Sequence, residues 1–162
     1  MLGYNEPGCV ESFAMTEVAT VPSVQAKPQD QPPLTCRLRP KEVVGRQGPV
    51  PNMGEVELQN CSDAPVEIEY TMTPLQFFEV EVIGPGGEIV SEGHFSDRFS
   101  PALEAAVLRL LPGEKFTSNV SLLATVPRDK RLPGRYTVQA SYRFQGRPVV
   151  AEPLTVELTS GA

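Results

Sequence analysis

His94 is the only histidine in the chain, so any chemistry that needs an imidazole must run through it. It stands in Glu92-Gly93-His94-Phe95-Ser96-Asp97-Arg98, with two carboxylates close by. A His/Asp/Glu cluster of this kind is one route to a metal site, although zinc generally takes three or four protein ligands and prefers His and Cys. Ser-His-Asp or Cys-His nucleophilic catalysis would depend on the same single residue. The plainer expectation is a solvated loop histidine beside acids, because matches this short arise often by chance. The chain has no glycine-rich phosphate loop opening a helix and no Cys-x-x-Cys. The expectation is therefore a protein that is not an enzyme, with no catalytic residue, no cofactor and no metal.

Binding chemistry has more to work with. The long connection 91–106 carries His94, Phe95, Asp97, Arg98, Phe99 and Glu104, and long ordered loops often bind partners. Those six residues form a candidate partner-binding surface. The alternative is that Phe95 and Phe99 fold back to cap an open end of the fold. A second candidate is a set of glutamates at alternate positions: Glu55 and Glu57, Glu67 and Glu69, Glu79 and Glu81. Each pair sits opposite the apolar face of its segment. If those segments share a sheet, six carboxylates make an acidic surface for a basic partner or Ca²⁺. If the segments are split between sheets, the stripes pair instead with cross-strand cations such as Arg135 and Arg143.

The elements that must position these groups read as short strands. Apolar residues recur at every second position in Leu34-Thr35-Cys36-Arg37-Leu38, in 55–59, 66–70 and 78–82, and again in 116–122. The longest run is Tyr136, Val138, Ala140, Tyr142 and Phe144. Period two is the mark of a strand with one buried face. Turn formers separate the runs: Asn60-Cys61-Ser62-Asp63, Pro85-Gly86-Gly87 before Ile89-Val90, Pro112-Gly113-Glu114 after the 108–111 run, and Gln145-Gly146 before a final strand over 148–158. Pro133 and Gly134 launch the strand of Tyr136, and a tyrosine just after such a turn pins the corner of a β-sandwich. The only plausible helix is a turn or two in 101–106. The fold class expected is all-β: an immunoglobulin-like antiparallel β-sandwich of seven to nine strands over 34–158, behind an extended proline-rich tail over 1–33 and ahead of a short C-terminal tail over 159–162.

Composition sets bounds on function. The chain has 162 residues, 40% of them hydrophobic, with 17 prolines and 13 glycines, enough for one domain with its own core. A net charge of −6 argues against nucleic acid, which needs clustered Lys and Arg. No apolar run approaches the ~20 residues that cross a bilayer, and no signal segment opens the chain, so a cytoplasmic home is expected at face value. Three cysteines make no disulfide framework. Cys36 shares parity with Leu34 and Leu38 and is expected in the core, with a Cys36–Cys61 bridge as the alternative. The tail reads as disordered or as an arm that orders on a partner. Asn60-Cys61-Ser62 and Asn119-Val120-Ser121 match glycosylation sequons, read as chance.

Four turn motifs occur in order: Asn60-x-Ser62-x-x-Pro65-Val66, the 78–82 strand running into Pro85-Gly86-Gly87, Leu110-x-Pro112-Gly113-Glu114-x-Phe116, and Pro133-Gly134-x-Tyr136-x-Val138. That series resembles the immunoglobulin-like domains of the BsuPI-type intracellular proteinase inhibitor group. It is also similar to the β-sandwich preceding the catalytic domain of some bacterial deuterolysin-like metallopeptidases. The resemblance covers about residues 34–158 and implies the fold more than an activity. The function expected is a non-catalytic protein-binding or structural accessory module, which includes the role of a subunit anchored in a larger assembly by its N-terminal tail. The alternatives are a proteinase inhibitor acting through an exposed loop, and a Ca²⁺- or carbohydrate-binding accessory domain.

Overall fold

The computed structural model describes residues 31–102 and 104–159; the expectations placed on residues 1–30 and on 160–162 lie outside them. The described chain is all-β and every strand pair is antiparallel. In chain order the strands are β1 (Leu34–Pro40), β2 (Val43–Gly45), β3 (Gly48–Val50), β4 (Met53–Asn60), β5 (Val66–Tyr70), β6 (Phe78–Ile83), β7 (Ala106–Leu110), β8 (Lys115–Ser121), β9 (Gly134–Phe144), β10 (Arg147–Val150) and β11 (Leu154–Leu158). One sheet has the order β1-β4-β8. The other is built around β9, with β6 along one side and β10 and β11 end to end along the other. Strands β5 and β7 pair with each other, as do β2 and β3.

Eleven strands exceed the seven to nine expected, for two physical reasons. The β2–β3 hairpin has no alternating pattern to announce it. The final strand over 148–158 is broken in two around Ala151-Glu152-Pro153, where proline has no N–H to continue a ladder. Ile89 forms only an isolated bridge to Ile83. The helix expected at 101–106 does not form: residues 101 and 102 are irregular and Ala106 begins β7. Short 3₁₀ turns occur instead at Pro74–Phe77, Phe95–Arg98 and Arg128–Lys130.

The inward residues of both sheets form one core. Leu34, Cys36 and Leu38 of β1 and Val56 and Leu58 of β4 join Phe78 and Val82 of β6 and Tyr136, Val138, Ala140, Tyr142 and Phe144 of β9. Fully burying a large apolar side chain is worth about 1.5–3 kcal/mol, so this two-sided interior is the main stabilising term. The 122–126 segment after β8 adds Leu122, Leu123, Ala124 and Val126, and Arg131 ties it down through bonds to the Leu123 and Val126 carbonyls.

Tyr136 makes the corner expected of it. Its ring is fully buried and its hydroxyl donates to the Leu132 carbonyl at 2.5 Å, back across Pro133-Gly134. Gly134 has φ +145°, and a Cβ there would lie 2.6 Å from Cγ of Pro85; the corner packs directly on the Pro85-Gly86-Gly87 turn, where Gly87 supplies φ +85°. Cys36 is buried with a free thiol, whereas Cys61, exposed beyond the end of β4, is disulfide-bonded. The two therefore do not bridge each other: one points into the core from mid-strand and the other lies outside it.

Candidate functional site

Strand β6 alternates Phe78, Val80 and Val82 with Glu79 and Glu81, and its register on β9 sets Glu79 beside Ser141 and Glu81 beside Gln139. Val150 of β10 faces Ser141 from the far side of β9. With loop residues Gly93, His94 and Phe95, this surface forms a groove of about 360 Å³ lined also by Glu79, Val80, Glu81, Gln139, Ala140, Ser141 and Val150. That volume lies at the lower end of the ~300–1,000 Å³ range of ligand sites.

One main-chain rung of β6 beside the groove is open. The Val82 carbonyl accepts from the Val90 N–H at 2.9 Å, and the Val82 N–H donates to Ser91 Oγ at 3.0 Å, both on the side away from β9. The Phe78 N–H is spent on the Leu75 carbonyl. Alternate residues of a strand direct their main-chain groups to the same side, so the N–H and C=O of Val80 also point outward. Among the described residues nothing bonds them there.

Its charges are available. Glu79 meets Arg143 at 3.5 Å, but both side chains are about half exposed, and a pair of that kind is worth only ~0–1 kcal/mol. Glu81 has no ion pair among the described residues. His94 is exposed on the rim, and its main-chain N–H donates to Asp97 Oδ2 at 2.8 Å. That bond and the Asp97 N–H to the His94 carbonyl (3.1 Å) hold the 3₁₀ turn that positions the loop.

The structure separates several groups that sequence proximity had put together. Glu92 pairs with Lys130 at 2.5 Å and Asp97 is turned back onto the backbone, so Glu92, His94 and Asp97 do not converge. Among the described residues no three His, Cys, Asp or Glu side chains gather as metal ligands. Phe95 is 5% exposed and its ring meets Phe78 edge-on, with centroids 5.2 Å apart. Phe99 is half-buried against Phe95 at 5.6 Å. Both phenylalanines cap the core, as the alternative reading had it, and their rings anchor the loop rather than offer a contact surface. Arg98 and Glu104 are exposed but lie outside the groove's lining.

The six glutamates fall in three different sheets. Glu55 and Glu57 are on β4, Glu67 and Glu69 on β5, and Glu79 and Glu81 on β6, so the stripes do not share one sheet. Glu55 pairs with Lys41, and Glu67 with Arg109 at 3.9 Å. Glu57 is only 6% exposed, between Arg37 (3.8 Å) and Lys115 (3.3 Å). Arg135 stands opposite Glu157 of β11 and meets none of the stripes. The stripe on β6 borders the groove. Gln139, Ser141, Val80 and Val150 were not singled out by sequence. The outward parity of 139 and 141 was readable from the Tyr136 repeat, but which strand lies beside them was not.

No known family model matches the chain, and no curated protein matches its sequence. Among the described residues no helix is long and apolar enough to cross a membrane.

Proposed function

We propose that this domain is a non-catalytic binding module whose groove on the outer face of β6, beside the unpaired main-chain rung of Val80, takes an extended, positively charged segment of a partner protein. The observation that carries the reading is the meeting, in one groove, of an open main-chain rung at Val80 with the outward carboxylates of Glu79 and Glu81. An added strand gains affinity from main-chain bonds and specificity from alternate side chains. Here one residue of the incoming segment bonds the N–H and C=O of Val80, and a Lys or Arg neighbour reaches the carboxylates. The overall charge of −6 favours encounter with a basic partner.

The resemblance to the BsuPI-type group supports a sandwich that works through its surface, and it brings inhibition as a second function. Inhibition needs a loop held extended. The stretch of 91–106 around His94 is instead wound into a 3₁₀ turn with Phe95 buried, which favours the binding reading. Incubation with a panel of proteases checks this: undiminished activity of every enzyme is expected.

Titration calorimetry with a short peptide alternating lysine and valine tests the binding reading. We expect binding that weakens with salt, falls about tenfold in Glu79→Gln/Glu81→Gln, and is unchanged in Glu67→Gln on β5. Absence of heat, or equal loss in both variants, overturns it.

A further inference from the structure

Among the described residues, β2 and β3 pair only with each other. The hairpin is held at its base by the Lys41 N–H to the Met53 carbonyl (3.0 Å) and by the Leu122 N–H to the Asn52 carbonyl (2.8 Å). Val44 is 79% exposed and Val50 39%, so the hairpin buries little of its own apolar surface. A two-stranded hairpin in water is marginal by itself, and an apolar residue this exposed on a strand edge is a pairing hazard unless the edge is blunted.

Only one of its two edges is blunted. Val44 lies opposite Pro49, and proline has no N–H to exchange, so the hairpin's internal bonds run through the flanking pairs, Val43 with Val50 and Gly45 with Gly48. On β3 the residue facing outward is therefore Pro49, which cannot donate. On β2 the N–H and C=O of Val44 face outward, and nothing among the described residues bonds them.

The side chains along that open edge are self-complementary. Glu42 immediately precedes β2 and Arg46 opens the turn that follows it, so opposite charges stand at the two ends of the open edge. Glu42 and Arg46 are exposed and have no ion pair among the described residues, the neighbouring Lys41 being engaged with Glu55. If two copies pair antiparallel about a two-fold axis through Val44, the two valines exchange both main-chain bonds. The Glu42 end of each β2 then lies beside the Arg46 end of the other. An isologous interface demands this kind of self-matching patch, and a parallel or shifted register would set the charges out of step.

We infer that the open edge of β2 is a self-association surface, through which two copies of this chain pair β2 to β2 as an antiparallel dimer centred on Val44. The surface covered by so short a ribbon is well below the ~1,200 Å² of standard stable interfaces, so the dimer is weak and reversible. It is independent of the β6 groove.

Sedimentation equilibrium of the full chain over a range of concentrations tests this, with four variants. A reversible monomer–dimer equilibrium is expected for the unaltered protein. Glu42→Arg or Arg46→Glu alone sets like charges beside each other twice per dimer and weakens association about tenfold. The double variant Glu42→Arg/Arg46→Glu restores the pairing and returns the affinity towards its starting value. Val44→Pro removes the outward N–H without touching a bond inside the hairpin, and abolishes the dimer. The inference is overturned if the unaltered chain stays monomeric at its highest soluble concentration, if the single charge variants or Val44→Pro associate as it does, or if the double variant is no better than the singles.

Discussion

Asn60 has no exposed surface, yet every hydrogen-bonding position of its amide is used. Its Nδ2 donates to the Ala64 carbonyl (2.8 Å) and the Leu110 carbonyl (2.9 Å), and its Oδ1 accepts from the N–H and the hydroxyl of Ser62 (2.9 and 2.7 Å). The Asn60-Cys61-Ser62 sequon is thus a structural knot that joins the end of β4 to the end of β7. Replacing the amide by a carboxylate, in Asn60→Asp, turns two donors towards carbonyl oxygens with acceptors. We expect a loss of about 3 kcal/mol, read as a lower urea midpoint at constant slope. Cys36 sets a pH dependence of opposite character. Burial pushes its thiol from an ordinary 9.0 up to about 12, so the folded chain keeps a proton that the unfolded chain gives up. The resulting stability is complete below pH 9 and declines as pH rises towards 12, by at most ~1.4 kcal/mol per pH unit. Urea midpoints measured at pH 9, 10 and 11 should fall more steeply for the native protein than for Cys36→Ala. Equal slopes would show that the thiol titrates no differently in the fold.

Among the elements, the Tyr136 corner fixes how the chain enters β9 after crossing from the first sheet. Its hydroxyl bond to Leu132 closes a turn that also packs on Pro85, and the hydroxyl of Tyr142 ties the same strand to the Pro74 carbonyl at 2.6 Å. Tyr136→Phe keeps the ring and removes one bond to a main-chain carbonyl; a cost of about 1–2 kcal/mol is expected, and an unchanged urea midpoint would mean that the corner is held by packing alone. The strands with alternating residues, such as 66–70 and the Tyr136 run, were legible because one face of each is buried and the other wet. The β2–β3 hairpin was not, since Val43-Val44-Gly45 against Gly48-Pro49-Val50 has neither alternation nor a buried face to impose it. The break between β10 and β11 was foreshadowed by Pro153, although the apolar run on both sides of it read as continuous.

At the scale of the molecule, the sandwich follows from local pattern, but which strands become neighbours does not. The three glutamate stripes look alike in sequence. They differ only because β4 is flanked by β1 and β8, β5 pairs with β7, and β6 lies between β9 and the loop that bears His94. The site is for the same reason only half legible: His94, Glu79 and Glu81 could be nominated from residue type, whereas their convergence with Gln139, Ser141 and the open Val80 rung is a product of sheet order. The central claim is that this rung accepts a strand. Hydrogen exchange of the Val80 amide, followed by NMR with and without the lysine–valine peptide, tests it most directly. Rapid exchange is expected in the free protein and marked slowing when peptide is bound, with shifts confined to the lining of the groove. Binding that leaves Val80 exchange unchanged would contradict it.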